Sequence, residues 1–230
     1  NEKEVDLTVP QKNAPIPPAM KKRILGQYFT KKGLWLRPQI KEFLLNSKCS
    51  IGYDPFAGKG NLLTVAIEVG LKKTVGLDID ECLGWQHNDS LLKIPHIDDA
   101  IIITNPPYLS NYSAKRRHIL EDVKKYFSSS NYDDVYLLAL QKMLEAQEFV
   151  VAIIPETFLN SSFPKQRLHS VTILEENPFE DTDATVCVAG FDGNTNSMDS
   201  DKILNDDRYI ARLLEINKIK MRPDNKYRIK

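Results

Sequence analysis

The run Ala100-Ile101-Ile102-Ile103-Thr104, followed at once by Asn105-Pro106-Pro107-Tyr108, constrains this chain more than any other feature. Its consecutive β-branched residues suit a strand buried on both faces, the environment of a parallel sheet covered by helices. Around it the apolar period switches repeatedly. Pro38 to Asn46 has helical spacing at Ile40, Phe43 and Leu44, and Ser50 to Asp54 reads as a strand. Helical spacing resumes over Leu62 to Val69, Lys73 to Leu77 is strand-like, and helical segments cover about 114–127 and 132–146. Phe149 to Ile154 is another buried strand, with Val171 to Glu175 and Thr185 to Phe191 as a late strand pair. Strands alternating with helices predict an α/β fold: a doubly wound, mostly parallel seven-stranded sheet with helices on both faces.

The flanks differ from this middle. Residues 1–20 are polar and then proline-rich, which predicts an extended N-terminal arm. Residues 192–207 are rich in Asn, Asp, Ser and Gly and read as a loop or linker, followed by a helical stretch from Tyr209 to Ile216 and a basic tail. The expected division is an arm over 1–20, a catalytic domain over 21–191, and a linker with the start of a C-terminal extension over 192–230. Lys+Arg and Asp+Glu both number 31, so any attraction to phosphate must be local. The three cysteines, Cys49, Cys82 and Cys187, supply neither a disulfide framework nor a paired zinc motif, and suit a cytoplasmic setting. His87, His96, His118 and His169 form no cluster in sequence, and no metal is expected. No apolar run is long enough to span a membrane.

In a sheet of this kind ligands gather beyond the carboxyl ends of the strands, and four polar clusters fall there. Asp54-Pro55-Phe56-Ala57-Gly58-Lys59-Gly60-Asn61 places two glycines where a strand turns into a helix. Gly58 and Gly60 suit close approach of a ligand, and suit a plain tight turn equally. Asp78, with Ile79 and Asp80, follows Gly58 by 20 residues, the spacing of an acid that accepts ribose hydroxyls. Capping of the next segment by these aspartates is the alternative. Asn88-Asp89-Ser90 suits an adenine edge or a helix cap. Asn105-Pro106-Pro107-Tyr108 presents an amide and carbonyls in one rigid geometry beside an aromatic ring, which suits a planar group carrying an NH2.

The ordered set resembles the amino-methylating DNA methyltransferases of the restriction-modification type, from about residue 24 to about 191. Gly26-Gln27-Tyr28-Phe29-Thr30 is similar to the family's cofactor-clamping motif, and Asp54 to Gly60 to its glycine loop. Asp78 matches the ribose-binding acid, Asp89 the adenine-binding acid, and Asn105 to Tyr108 the catalytic tetrapeptide. Glu176-Asn177-Pro178-Phe179-Glu180 resembles the region where a second aromatic, Phe179, contacts an extruded base.

The resemblance implies a Rossmann-like methyltransferase fold, S-adenosylmethionine as cofactor, and DNA as substrate, in a bacterial or phage-like context. It implies a cofactor site built from Gln27, Tyr28, Phe29, Thr30, Asp54, Pro55, Phe56, Ala57, Gly58, Gly60, Asp78, Ile79, Asp89, Ser90 and Asn105. Asn105 and Pro106 would accept the two N–H bonds of an adenine amino group, while Tyr108 and Phe179 stack on the base. Flipping costs a few kcal/mol, and stacking returns about 1–3 kcal/mol per base. Cytosine N4 and a protein glutamine amide are alternative acceptors, and a cofactor-binding subunit inactive by itself is the non-enzyme alternative. The family usually carries a large recognition domain after the catalytic one, and about 40 residues follow Phe191 here. A full recognition domain is therefore expected to be absent: either the chain is a fragment, or recognition comes from another domain or subunit, beside a cognate restriction endonuclease. Lys21-Lys22-Arg23, Lys31-Lys32 and Lys115-Arg116-Arg117 are candidate phosphate contacts or ordinary solvated faces.

Overall fold

The computed structural model describes residues 33–116, 120–128, 130–176, 178, 185–193, 202–205 and 208–212. The N-terminal arm, Gln27 to Thr30, Phe179 and the basic runs before residue 33 lie outside the described residues, as do His118 and Arg117. Five helices are described: α1 (Pro38–Asn46), α2 (Asn61–Val69), α3 (Asn111–Arg116), α4 (Leu120–Ser128) and α5 (Val135–Ala146). The strands are β1 (Ile51–Asp54), β2 (Lys73–Asp78), β3 (Gln86–His87), β4 (Ala100–Thr104), β5 (Phe149–Pro155), β6 (Leu168–Ile173), β7 (Val186–Asp192), β8 (Lys202–Asn205) and β9 (Arg208–Arg212).

One sheet joins the strands in the order β3-β2-β1-β4-β5-β7-β6-β8-β9. The strands from β3 to β5 run parallel to their neighbours, and β7 runs antiparallel between β5 and β6. The first seven strands are the expected doubly wound sheet. The chain leaves β1 for β2 and β3 on one side, then returns to β4 on the other. β1 and β4 are therefore neighbours across the switch point, with Tyr53 opposite Ile102, and their carboxyl ends open one crevice.

Two stretches differ from the reading of the sequence. Lys202–Asn205, within the expected linker, forms β8, parallel to β6. Arg208–Arg212, expected to begin a helix, forms β9, antiparallel to β8. Tyr209, Ile210 and Ala211 are too short an apolar run for periodicity to separate helix from strand. The available edges decide it, β6 taking β8 and β8 in turn taking β9, because pairing there satisfies backbone groups that a helix would satisfy alone. The short strand β3 also gave no sequence signal, since neither of its residues is apolar.

The buried strands show why the alternation forms a three-layer fold. Ile101 and Ile103 pack with Val151, Ile153 and Val188 against Phe43, Leu44, Leu62 and Ala66 of α1 and α2. Ile102 faces the opposite layer with Val150, Ala152 and Ile154, against Val123, Leu138 and Met143 of α4 and α5. A side-chain period of two thus assigns successive isoleucines to opposite cores. Helix α2 lies close on the sheet because β1 has Gly52 beneath it, where a Cβ would come 3.0 Å from the Ala66 Cβ and 3.4 Å from the Leu71 Cδ1. Gly52→Val should therefore push α2 off the sheet and cost about 1–3 kcal/mol. Urea unfolding is expected to show a lower midpoint at unchanged slope.

Candidate active site

The site is built where β1, β2 and β4 end. Asp54, the last residue of β1, is 1% exposed. Its Oδ1 accepts from the Thr104 hydroxyl at 2.6 Å, tying β1 to β4, and from the Phe56 N–H at 2.9 Å, starting the glycine turn. Burial pushes its carboxyl up to about 7, and the nearby Asp78 carboxylate adds to the rise; the hydrogen bonds from Thr104 and Phe56 work against it.

The turn itself is held from both sides. Ala57 N–H donates to the Leu77 carbonyl at 2.9 Å. Gly58 donates its N–H to Asp78 Oδ2 at 2.8 Å, and its carbonyl accepts from the Trp85 indole at 2.8 Å. Gly58 and Gly60 have φ of +54° and +78°, the left-handed region where glycine costs least. Gly60 then serves as the N-cap of α2. The Trp85 ring lies against both Gly60 and Gly76, where added Cβ atoms would meet it at 2.9 and 2.5 Å. Trp85 was not among the sequence candidates. Glycines on two neighbouring segments are a trace of an overlying ring, but only the fold brings Gly60 and Gly76 together.

Of the two aspartates after β2, Asp80 acts as the cap, accepting from the Cys82 N–H at 3.0 Å. Asp78 is 1% exposed and accepts from Gly58 and, through Oδ1, from the Asp80 N–H at 2.9 Å. In the Asn88-Asp89-Ser90 turn, Asn88 Nδ2 donates to the Ser90 hydroxyl at 2.8 Å and to the Lys93 carbonyl at 2.9 Å. Asp89 Oδ2 is held by Lys125 Nζ at 2.7 Å and by the Tyr126 hydroxyl at 2.9 Å, both from α4. Lys125 and Tyr126 carry no motif, and their part in the site is visible only in the fold.

Phe56, Asp78, Ile79, Asp89 and Ser90 converge on one cleft, together with Asn88, Leu91 and Pro107. Phe56, Ile79 and Leu91 offer apolar walls for a flat ring, while Asp78, Asp89 and Ser90 offer acceptors for hydroxyl and amino hydrogens. That mixture fits a nucleoside. Pro107 brings the Asn105–Tyr108 turn to the same cleft. Pro106 and Pro107 are buried, and Asn105 is partly exposed. The Tyr108 hydroxyl lies 2.5 Å from Asn105 Oδ1 and 2.6 Å from the Ile153 carbonyl, and its ring meets Tyr136 edge-on at 6.3 Å. Pro55 is buried beside Asp54. Among the described residues no His, Cys, Asp and Glu cluster is arranged to hold a metal ion, and no helix is long and apolar enough to cross a membrane.

Residues 98–182, which include the Asn105–Tyr108 turn, match the family model of the Eco57I restriction-modification methylase. The methyltransferase subunit of the type I restriction-modification system from Streptococcus thermophilus is similar in structure, with TM-score 0.50 at 15% identity over 85% of this chain and 53% of that one. The M protein of the type I restriction enzyme EcoKI gives 0.48 at 15% identity, covering 76% of this chain and 47% of that one. A Listeria monocytogenes protein, provisionally assigned as a class I S-adenosylmethionine-dependent methyltransferase, gives 0.46 at 15% identity over 72% and 63%. The chain thus spans between about half and two thirds of these structures. No curated protein matches it in sequence. The sheet order and the Streptococcus likeness establish a Rossmann-like fold. Within that fold, the segment bearing the proline turn is similar to a restriction-modification methylase.

The raised Asp54 carboxyl has a consequence for stability. Its folded value lies above the ordinary 3.8, so the native state holds a proton that the unfolded chain releases between about pH 4 and about pH 7. This contribution is full below that window and is lost as pH rises through it. Asp54→Asn keeps an acceptor for Phe56 and Thr104 without the titration. Thermal unfolding of the variant is expected to gain on the wild type at about pH 8 relative to about pH 5. An equal difference at both pH values would remove the assignment.

Proposed function

We propose that this chain is the catalytic part of a site-specific DNA adenine N6-methyltransferase that acts on a flipped-out adenine. One observation carries the reading: Pro107 of the Asn105–Tyr108 turn is a wall of the cleft formed by Phe56, Asp78, Ile79, Asp89 and Ser90. A cleft whose apolar walls and acceptors suit a nucleoside and a rigid amide acceptor therefore share a boundary. The match of residues 98–182 to a restriction-modification methylase supports the same reading.

S-adenosylmethionine, when bound, supplies a methyl group that already carries the driving force for transfer. The protein supplies orientation. In this reading Asp78 accepts from ribose hydroxyls, and Asp89, steadied by Lys125 and Tyr126, accepts from the adenine amino group of the cofactor. The resemblance of Gln27, Tyr28, Phe29 and Thr30 to the family's motif assigns them to cofactor binding, and Pro55, Ala57, Gly58 and Gly60 form the turn at the cleft.

The adenine amino nitrogen of the substrate is a poor nucleophile because its lone pair is delocalised into the ring. Asn105 Oδ1 and the Pro106 carbonyl accept its two N–H bonds and draw it toward tetrahedral geometry. Tyr108 sets the Asn105 amide. The Tyr108 hydroxyl lies within hydrogen-bond reach of both Asn105 Oδ1 and the Ile153 carbonyl, so its one hydrogen is shared between two acceptors and ties the amide to β5. Tyr108 and Phe179 provide the stacking faces for the extruded base. DNA, a recognition domain or subunit, and a restriction endonuclease are the proposed partners.

The test is transfer of labelled methyl from S-adenosylmethionine to mixed-sequence duplex DNA, with nucleoside analysis of the product. N6-methyladenine is expected, reduced roughly 100-fold or more by Asn105→Ala, the scale of losing one preorganised polar partner. Tyr108→Phe, which keeps the ring, is expected to lower kcat more than it raises KM for DNA. N4-methylcytosine, or label on a glutamine-containing peptide and none on DNA, would replace adenine as the acceptor.

A further inference from the structure

Four residues beyond the tetrapeptide, the chain carries a large side chain that the core does not use. Tyr112, in the first turn of α3, is 74% exposed, the highest exposure among the large hydrophobic side chains described. Helix α3 is firmly seated despite its six residues. Leu109 and Ala114 are buried beneath it, and Ser110 Oγ accepts from the Ser113 N–H at 3.1 Å. The Asn111 N–H donates to the Asp133 carbonyl at 2.7 Å, and Ser110 pairs with Asp134 in an isolated bridge. The ring is therefore presented to solvent by anchored backbone. Lys115 is also exposed and stands three residues on, which places it on the same face of the helix as Tyr112.

We propose that Tyr112 and Lys115 form a duplex-contact face of this protein, the ring packing on bases beside the extruded nucleotide and the ammonium meeting a flanking phosphate. The inference rests on the DNA reading above and extends it to a surface outside the cleft. Reach supports it: Tyr112 follows Asn105 by seven residues, which span at most about 25 Å, about seven base steps at 3.4 Å each. The face therefore lies within one helical turn of any nucleotide held at Asn105. A phenol ring suits this position, since every base offers a π-face and stacking tolerates any sequence. The even charge balance of the whole chain, 31 against 31, gives such a local contact its importance. Extruding a base also leaves a gap in the stack, which a rigidly presented ring is suited to fill.

The test uses the full chain, with fluorescence anisotropy of a labelled mixed-sequence duplex over a range of salt concentrations. Tyr112→Ala is expected to weaken binding about tenfold, within the range of one lost stacking contact, and Tyr112→Phe to retain wild-type affinity. Lys115→Ala is expected to reduce the slope of log affinity against log salt by about one. Thermal unfolding of all three should match the wild type, because the side chains are exposed. If the wild type binds duplex and Tyr112→Ala binds equally well, the duplex-contact face is overturned while the methyltransferase reading stands. If the wild type binds S-adenosylmethionine but no DNA, both this face and DNA as the substrate are overturned.

Discussion

The hydrogen bond between the Asp54 carboxylate and the Thr104 hydroxyl is the join on which the site depends. It connects the two strands that flank the switch point at the level where both chains leave the sheet. Without it, the glycine turn after β1 and the proline turn after β4 would be separate loops on neighbouring strands. With it, a shift of one is carried to the other through a buried 2.6 Å contact. The same oxygen also receives the Phe56 N–H, so the direction in which the glycine turn departs is fixed by that carboxylate too. Burying an acid is costly, and the rise of its pKa to about 7 measures that cost.

The rest of the cleft extends this arrangement outward in a chain of polar contacts. Gly58 is gripped through both its N–H and its carbonyl, by Asp78 on β2 and by the Trp85 indole. Asp89 is gripped in turn by α4, so the cleft takes walls from β1, β2, the turn after β3, and β4. Each wall arrives from a different stretch of sequence, and each is held by at least one partner outside its own motif. Such outside support gives a binding site its precision, because a loop residue is only as well placed as the groups that hold it.

Most of the central sheet was legible in the sequence because burial on both faces leaves a strong signature. The bounds of α1 and β4 were readable to the residue, since Ile40, Phe43 and Leu44 can share a core only on a helix, and Ala100 to Thr104 has no polar face to show. Three of the clusters at strand ends were legible for a related reason: Asp54, Asp78 and Asn105 interrupt apolar runs where a strand must stop. What the sequence hid is what the fold supplies from a distance. Trp85 looks like an ordinary aromatic until Gly60 and Gly76 are brought beneath it. Lys125 and Tyr126 lie on an amphipathic helix with no sign that Asp89 is their partner. β8 and β9 were read as loop and helix because Lys202 to Asn205 has only two apolar residues, and the edge that recruits them is formed by β6, some thirty residues earlier in the chain.

That edge also explains how the fold accommodates an addition without disturbing the chemistry. The crevice lies between β1 and β4, and β5, β7 and β6 intervene before β8 is reached. β7 runs antiparallel to both its neighbours, so its carboxyl end points away from the crevice. Strands joined beyond β6 therefore extend the sheet on the side remote from Asp54 and Asn105. They also cover the backbone groups that β6 would otherwise leave unpaired, and shift the open edge to β9, where Arg208 begins and Arg212 ends the strand. Charged residues on an edge strand discourage pairing with a further chain. The geometry of the cleft is fixed at one end of the strand order, and growth is permitted at the other, because a sheet transmits register only between neighbours and the fixed end is anchored by side chains of its own.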